Sequence, residues 1–118
     1  MLYRAPLVAA VAVCIPVGPC WSQDQDEKAL ALLRASSAQS AIITFCGKHF
    51  AIDGTTALRI SQTARDVATK VLGEDRAEAA FKEELARRFA EVKEIGEQQW
   101  CADQRVALAG GGAQIFRD

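Results

Sequence analysis

The chain has 118 residues, of which 50% are hydrophobic and 25% charged, with a formal net charge of −1. That length suits one small domain. The 14 basic and 15 acidic side chains are dispersed, with no arginine-lysine stripe interleaved with aromatics, which argues against nucleic-acid binding. The charged segments also carry both signs, so a helix lying on a membrane surface is unsupported.

The chain opens with "MLYRAPLVAAVAVCIPVGPCWSQ", in which Arg4 precedes an apolar run from Ala5 to Val17 that is broken by Pro16, Gly18 and Pro19. This is the layout of a secretory signal peptide. The run is shorter than the roughly 20 residues needed to cross a bilayer. Small side chains at Cys20 and Ser22 place the cut so that residues 1–22 leave and Gln23 starts the mature protein, in the periplasm or outside the cell. A minor alternative is a lipoprotein anchored through acylated Cys20, although Pro19 departs from the small residues that usually precede such a cysteine.

A helical domain over residues 23–109 follows. "DQDE" offers Asp24 as an N-cap with Glu27 three residues on, predicting a first helix from Gln25 to Ala51. Ala35, Ala38, Ile42, Phe45, Cys46 and His49 share one broad face of it. "IDGTT" interrupts the pattern, and Ile60, Ala64, Val67 and Val71 then recur at helical spacing until Gly73 supplies a stop. "GEDRAE" repeats the start signal with Asp75 and Glu78, and Phe81, Leu85, Phe89 and Val92 form the core face of a third helix. Acids four residues before bases (Asp66 and Lys70, Glu78 and Lys82, Glu83 and Arg87, Glu84 and Arg88) read as solvated faces. No segment sustains strand alternation, so the fold class is all-α, a small bundle of three to four amphipathic helices.

Removal of the leader takes Cys14 and Cys20 with it, leaving Cys46 and Cys101 to form one disulfide in an oxidising compartment. Closing so long a loop stabilises the fold by about 4 kcal/mol in the chain-entropy description. Helix phase attaches a condition to this pairing. An unbroken third helix through residue 108 places Cys101 almost opposite Phe81, Leu85 and Val92, facing solvent. The disulfide therefore requires a break near Gly96, followed by a short fourth helix carrying Trp100, Cys101, Gln104 and Leu108.

The stretch "FCGKHF" has other readings. Cys46 and His49 with Cys101 and Asp103 form a ligand set of zinc-compatible types, but C-x-x-H with a distant C-x-D is not a familiar zinc arrangement. Neither the haem signature C-x-x-C-H nor the redox pair C-x-x-C is present. A nucleophilic Cys46 with His49 as its base lacks a recognisable orienting group and oxyanion element. These observations favour a non-enzymatic protein without a cofactor, with His49 as a packing and hydrogen-bonding residue. Trp100 either packs over the disulfide or joins Phe116 in an apolar interaction surface rimmed by Gln98, Gln99, Gln104 and Arg105. Residues 110–118 begin with three glycines and are expected to form a flexible tail, with a clip made by Ile115 and Phe116 as the alternative.

Two cysteines and several amphipathic helices make the mature chain similar in outline to small periplasmic helical proteins held by one disulfide, a group that includes the HdeA-type acid-stress chaperones. The resemblance is architectural and carries no residue roles. It implies, as an alternative function, a chaperone that exposes apolar surface in acid. The principal expectation is an interaction, inhibitor, immunity-type or accessory module whose partner is another protein.

Overall fold

The computed structural model describes residues 18–110 and 114–117, with side chains from Gln23 onward. The apolar run of the leader and Cys14 lie outside the described residues, as does the side chain of Cys20. The fold is a small all-α bundle of four helices: α1 (Gly18–Phe45), α2 (Gly54–Leu72), α3 (Glu74–Ile95) and α4 (Glu97–Ala109). No helix among the described residues is long and apolar enough to cross a membrane.

Helix α1 is the central element. It packs against α2, α3 and α4, so its apolar residues are not confined to one stripe. It begins before the expected cap, and Asp24 lies inside it, 3.5 Å from Lys28 one turn on. It also ends before the expected Ala51. After Phe45 the chain tightens into a turn in which the amides of His49 and Phe50 both donate to the Cys46 carbonyl at 3.0 Å. The interrupting "IDGTT" proves to be a start signal. Asp53 caps α2 by accepting from the Thr56 amide at 3.0 Å and the Thr56 hydroxyl at 2.7 Å. Asp75 does not cap α3, which starts at Glu74 directly after Gly73, placing both acids in its first turn.

The expected break at Gly96 is present. The residue has φ 99° and ends α3, with its amide donating to the Val92 carbonyl at 2.8 Å. Trp100 and Cys101 are the buried residues of α4, with Gln104 and Leu108 further along the same helix. The core falls into two apolar clusters. One holds Ala41, Ile42, Cys46, Ala57, Val92, Trp100, Cys101 and Ile115, and the other Ala29, Leu33, Ala68, Leu72, Ala77 and Phe81.

A polar seam lies between them in sequence register. The Ser36 hydroxyl is 2.8 Å from that of Ser61 and 2.9 Å from the Ser61 carbonyl, while Ser40 reaches the Ser61 hydroxyl at 3.0 Å. Each such bond offsets the desolvation of a buried hydroxyl and adds about 1 kcal/mol net. Three of the anticipated acid-base pairs form: Glu78 with Lys82, Glu83 with Arg87, and Glu84 with Arg88. Glu84, however, is not on a solvated face. It is buried at 7% exposure, with Arg87 3.1 Å from one carboxylate oxygen and Arg88 and Arg34 at 3.6 and 3.9 Å from the other.

Candidate functional site: a stapled end and an apolar groove

Cys46 and Cys101 are joined, with an S–S distance of 2.07 Å and Cα atoms 5.6 Å apart, and both residues are fully buried. The disulfide is consistent with an oxidising compartment. It also removes the alternative metal set, because neither sulfur is a free thiolate ligand. His49 turns to Glu97, with Nε2 3.3 Å from Oε1, and Asp103 accepts a hydrogen bond from Gln99 at 2.8 Å. Lys48 reaches the same Glu97 oxygen at 2.9 Å. The hydrogen bond from Lys48, then that from His49, holds the Glu97 carboxyl below its ordinary range. This ionic clasp ties the start of α4 to the turn that carries Cys46.

Trp100 and Phe116 do not make the exposed pair considered from the sequence. Trp100 is fully buried in the disulfide cluster, and its indole N–H donates to Glu91 Oε1 at 3.2 Å. Glu91 in turn binds Arg88 at 2.8 Å, so the indole has a satisfied polar outlet at the edge of the core. Phe116 is half-buried, edge-on to Phe50 with ring centroids 5.8 Å apart.

Residues 114–117 dock as the clip and not as a flexible tail. The Asp53 amide donates to the Ile115 carbonyl at 2.7 Å, and the Arg117 amide donates to the Ala51 carbonyl at 2.9 Å. Ile115 is fully buried and Arg117 pairs with Asp53 at 3.1 Å. The pattern was hard to read because the docked segment is an isolated antiparallel bridge between Ile52 and Phe116, too short to show periodicity. Asp53 thus joins two elements. Hydrogen bonds from Thr56, with help from Arg117, lower its pKa to about 2.

The largest departure from the sequence reading concerns α2. Its buried residues are Ala57, Ser61, Ala64, Ala68 and Leu72, so Ala64 lies on the expected face but Ser61, Ala68 and Leu72 take the places expected for Ile60, Val67 and Val71. Each of those three replacements is an adjacent residue, about 100° round the helix. Apart from Leu72 at the end of the helix, small side chains line the contact with α1, where the Ser36–Ser61 pair requires close approach, and Ile60, Val67 and Val71 are displaced to the flank. Val67 and Val71 are 43% and 40% exposed. Leu32 of α1 and Arg59, Ile60, Thr63, Ala64 and Val67 of α2 line a shallow, predominantly apolar groove of about 400 Å³. A run of small residues at spacings of four, three and four from Ala57 to Ala68 was the signal in the sequence that identifies the true contact face.

No family model, curated protein or solved structure matches this chain. The groove and the stapled end therefore have to be interpreted from their own chemistry.

Proposed function

We propose that this chain is an exported, non-catalytic interaction module that binds a partner protein across the groove between α1 and α2. The observation that carries this reading is the rotated use of α2, with mostly small side chains inward and Ile60 and Val67 lining an apolar groove. Concave apolar surface with few charges is the chemistry of a protein-docking site and has no evident value to the isolated fold. Mixed-sign charges and the absence of an arginine-lysine stripe favour a protein partner over nucleic acid. The disulfide and the leader-like first 22 residues favour the periplasm or the extracellular space as the working compartment.

The test is a photo-crosslinking side chain at Val67 in the groove, compared with one at Lys82 on α3, in cells exporting the protein. A discrete adduct at Val67 that disappears when Thr63→Glu is added supports the reading. Identical adduct patterns at Val67 and Lys82 overturn it.

A second reading, the acid-stress chaperone, is favoured by the carboxylates that secure α4. Glu97 holds Lys48 and His49, and Glu91 holds Trp100 and Arg88. As pH falls through the depressed range of Glu97, its tie to Lys48 and His49 weakens, which loosens the start of α4 and frees apolar surface of the disulfide cluster. Failure to suppress aggregation of a client protein at pH 3 rules this reading out.

A further inference from the structure

The docked C-terminal segment occupies a seat with the features of a peptide-recognition site. The backbone of Ala51 and Asp53 supplies one acceptor and one donor to an extended strand, as in β-strand addition. Three further features read side chains. The disulfide cluster takes Ile115, the Phe50 ring takes the edge of Phe116, and the Asp53 carboxylate takes Arg117. Arg105 stands over Phe50 at 5.4 Å and closes the far side of the seat. In sequence the bound segment follows α4 by only four residues, Gly110, Gly111, Gly112 and Ala113.

We propose that this seat is an exchange site that accepts residues 114–117 of a second copy of the chain in place of its own. The one sequence shown by these contacts to fit the seat is the chain's own, so a second copy presents it without further adaptation. Every hydrogen bond, ring contact and ion pair made within the chain is remade between copies, and reciprocal exchange closes a two-fold dimer. Val106 is 76% exposed and lines a cleft with Leu108, Ile115 and Phe116. An apolar side chain left open beside the seat is placed to be covered when a second α4 end approaches. Within one chain the tether holds the segment at high effective concentration, so exchange competes poorly until that internal competition is removed.

Two full-length variants remove it. Ile115→Asp leaves an intact seat with an unfit tail, and Phe50→Asp leaves an intact tail with an unfit seat. Each is labelled with a different fluorophore, checked for wild-type helix content by circular dichroism, and titrated against the other. The exchange predicts saturable energy transfer in the mixture at least about tenfold stronger than in either variant alone. A synthetic peptide of residues 113–118 should compete it away, whereas the same peptide with its isoleucine replaced by aspartate should not. If Ile115→Asp fails to fold, the seat donor is a chain cut after folding at a protease site inserted between Gly111 and Ala113 and freed of its tail by gel filtration. A mixture whose transfer equals that of the separate variants at millimolar concentration, with no peptide binding to the seat donor, overturns the proposal. Peptide binding without transfer between full-length chains also overturns it, because the seat then reads the segment but a second copy cannot deliver it.

Discussion

Replacing Gly96 with alanine isolates what the turn between α3 and α4 demands of the backbone. Gly96 has φ 99° and ψ 141°, a region that L side chains rarely adopt, and a Cβ placed there meets no atom within 4 Å. Crowding by neighbours therefore contributes nothing, and the penalty is local backbone strain of about 1–3 kcal/mol. The alanine also narrows the unfolded ensemble, which returns about 0.4–1 kcal/mol. The expected net loss is about 1–2 kcal/mol, which lowers the urea midpoint by about 1 M for a small domain. Helix content followed through urea unfolding measures it, with two controls. Gly110→Ala, at φ −89° and ψ −1°, should be neutral or slightly stabilising. D-Alanine introduced at position 96 by semisynthesis favours positive φ and should lose less than the L-alanine variant. Equal midpoints for Gly96→Ala and Gly110→Ala would refute the reasoning, because they would show that the break does not depend on glycine's conformational freedom.

Removal of the staple by Cys46→Ala with Cys101→Ala should cost about 4 kcal/mol from the 55-residue separation, measured by the same urea unfolding under non-reducing conditions. At the α1–α2 contact, Ser61→Leu should lose about 1–3 kcal/mol by forcing the helices apart, whereas Ser36→Ala with Ser61→Ala removes both hydroxyls together and should stay within about 1 kcal/mol of wild type. The Asp53 clip gives a pH window. Its pKa is depressed to about 2, so its contribution is complete above the ordinary aspartate value and is lost as pH falls through about 2. The contact between the Phe50 and Phe116 rings, followed by nuclear Overhauser effects, should accordingly persist largely unchanged at pH 3 and decline below it, and Asp53→Asn should abolish that dependence.

The features legible in the sequence were those governed by helix arithmetic. Cys101 sits out of phase with Phe81, Leu85 and Val92, and the only way to bring it to Cys46 was a break that Gly96 was placed to supply. The orientation of α2 was not legible by the same arithmetic, because hydrophobic periodicity ranks side chains by size while the contact selected small ones. Val67 and Val71 have the spacing of core residues, but the close serine contact turns them outward, Val67 onto the groove. Glu84 defeated the charge-pattern reading for a related reason. An acid four residues before a base looks the same whether its helix face meets water or the guanidinium of Arg34 on another helix. The seat of Ile115 was visible only as two apolar residues after a glycine run, since its partners at Ala51 and Asp53 contribute backbone groups that sequence does not distinguish.

The placement of the stabilising devices makes the bundle asymmetric. The disulfide, the Lys48–Glu97 clasp and the C-terminal clip all attach to the turn between α1 and α2. They fix the end of the molecule where α4 is short and supplies only Trp100 and Cys101 as buried residues. The opposite end has no covalent tie among its described contacts and relies on Leu33, Leu72 and Phe81, with Arg65 3.9 Å above the Phe81 ring and Arg76 paired with Asp26 at 3.2 Å. Local opening follows the weaker tethers, so the free end gives way at lower cost than the stapled end. Ile60 packs against the disulfide cluster, whereas Leu32, in the same groove, packs against the other. On the proposed function, a partner seated in that groove would bear on both clusters at once and brace the free end against the stapled one, coupling binding at the groove to the stability of the half that lacks a staple.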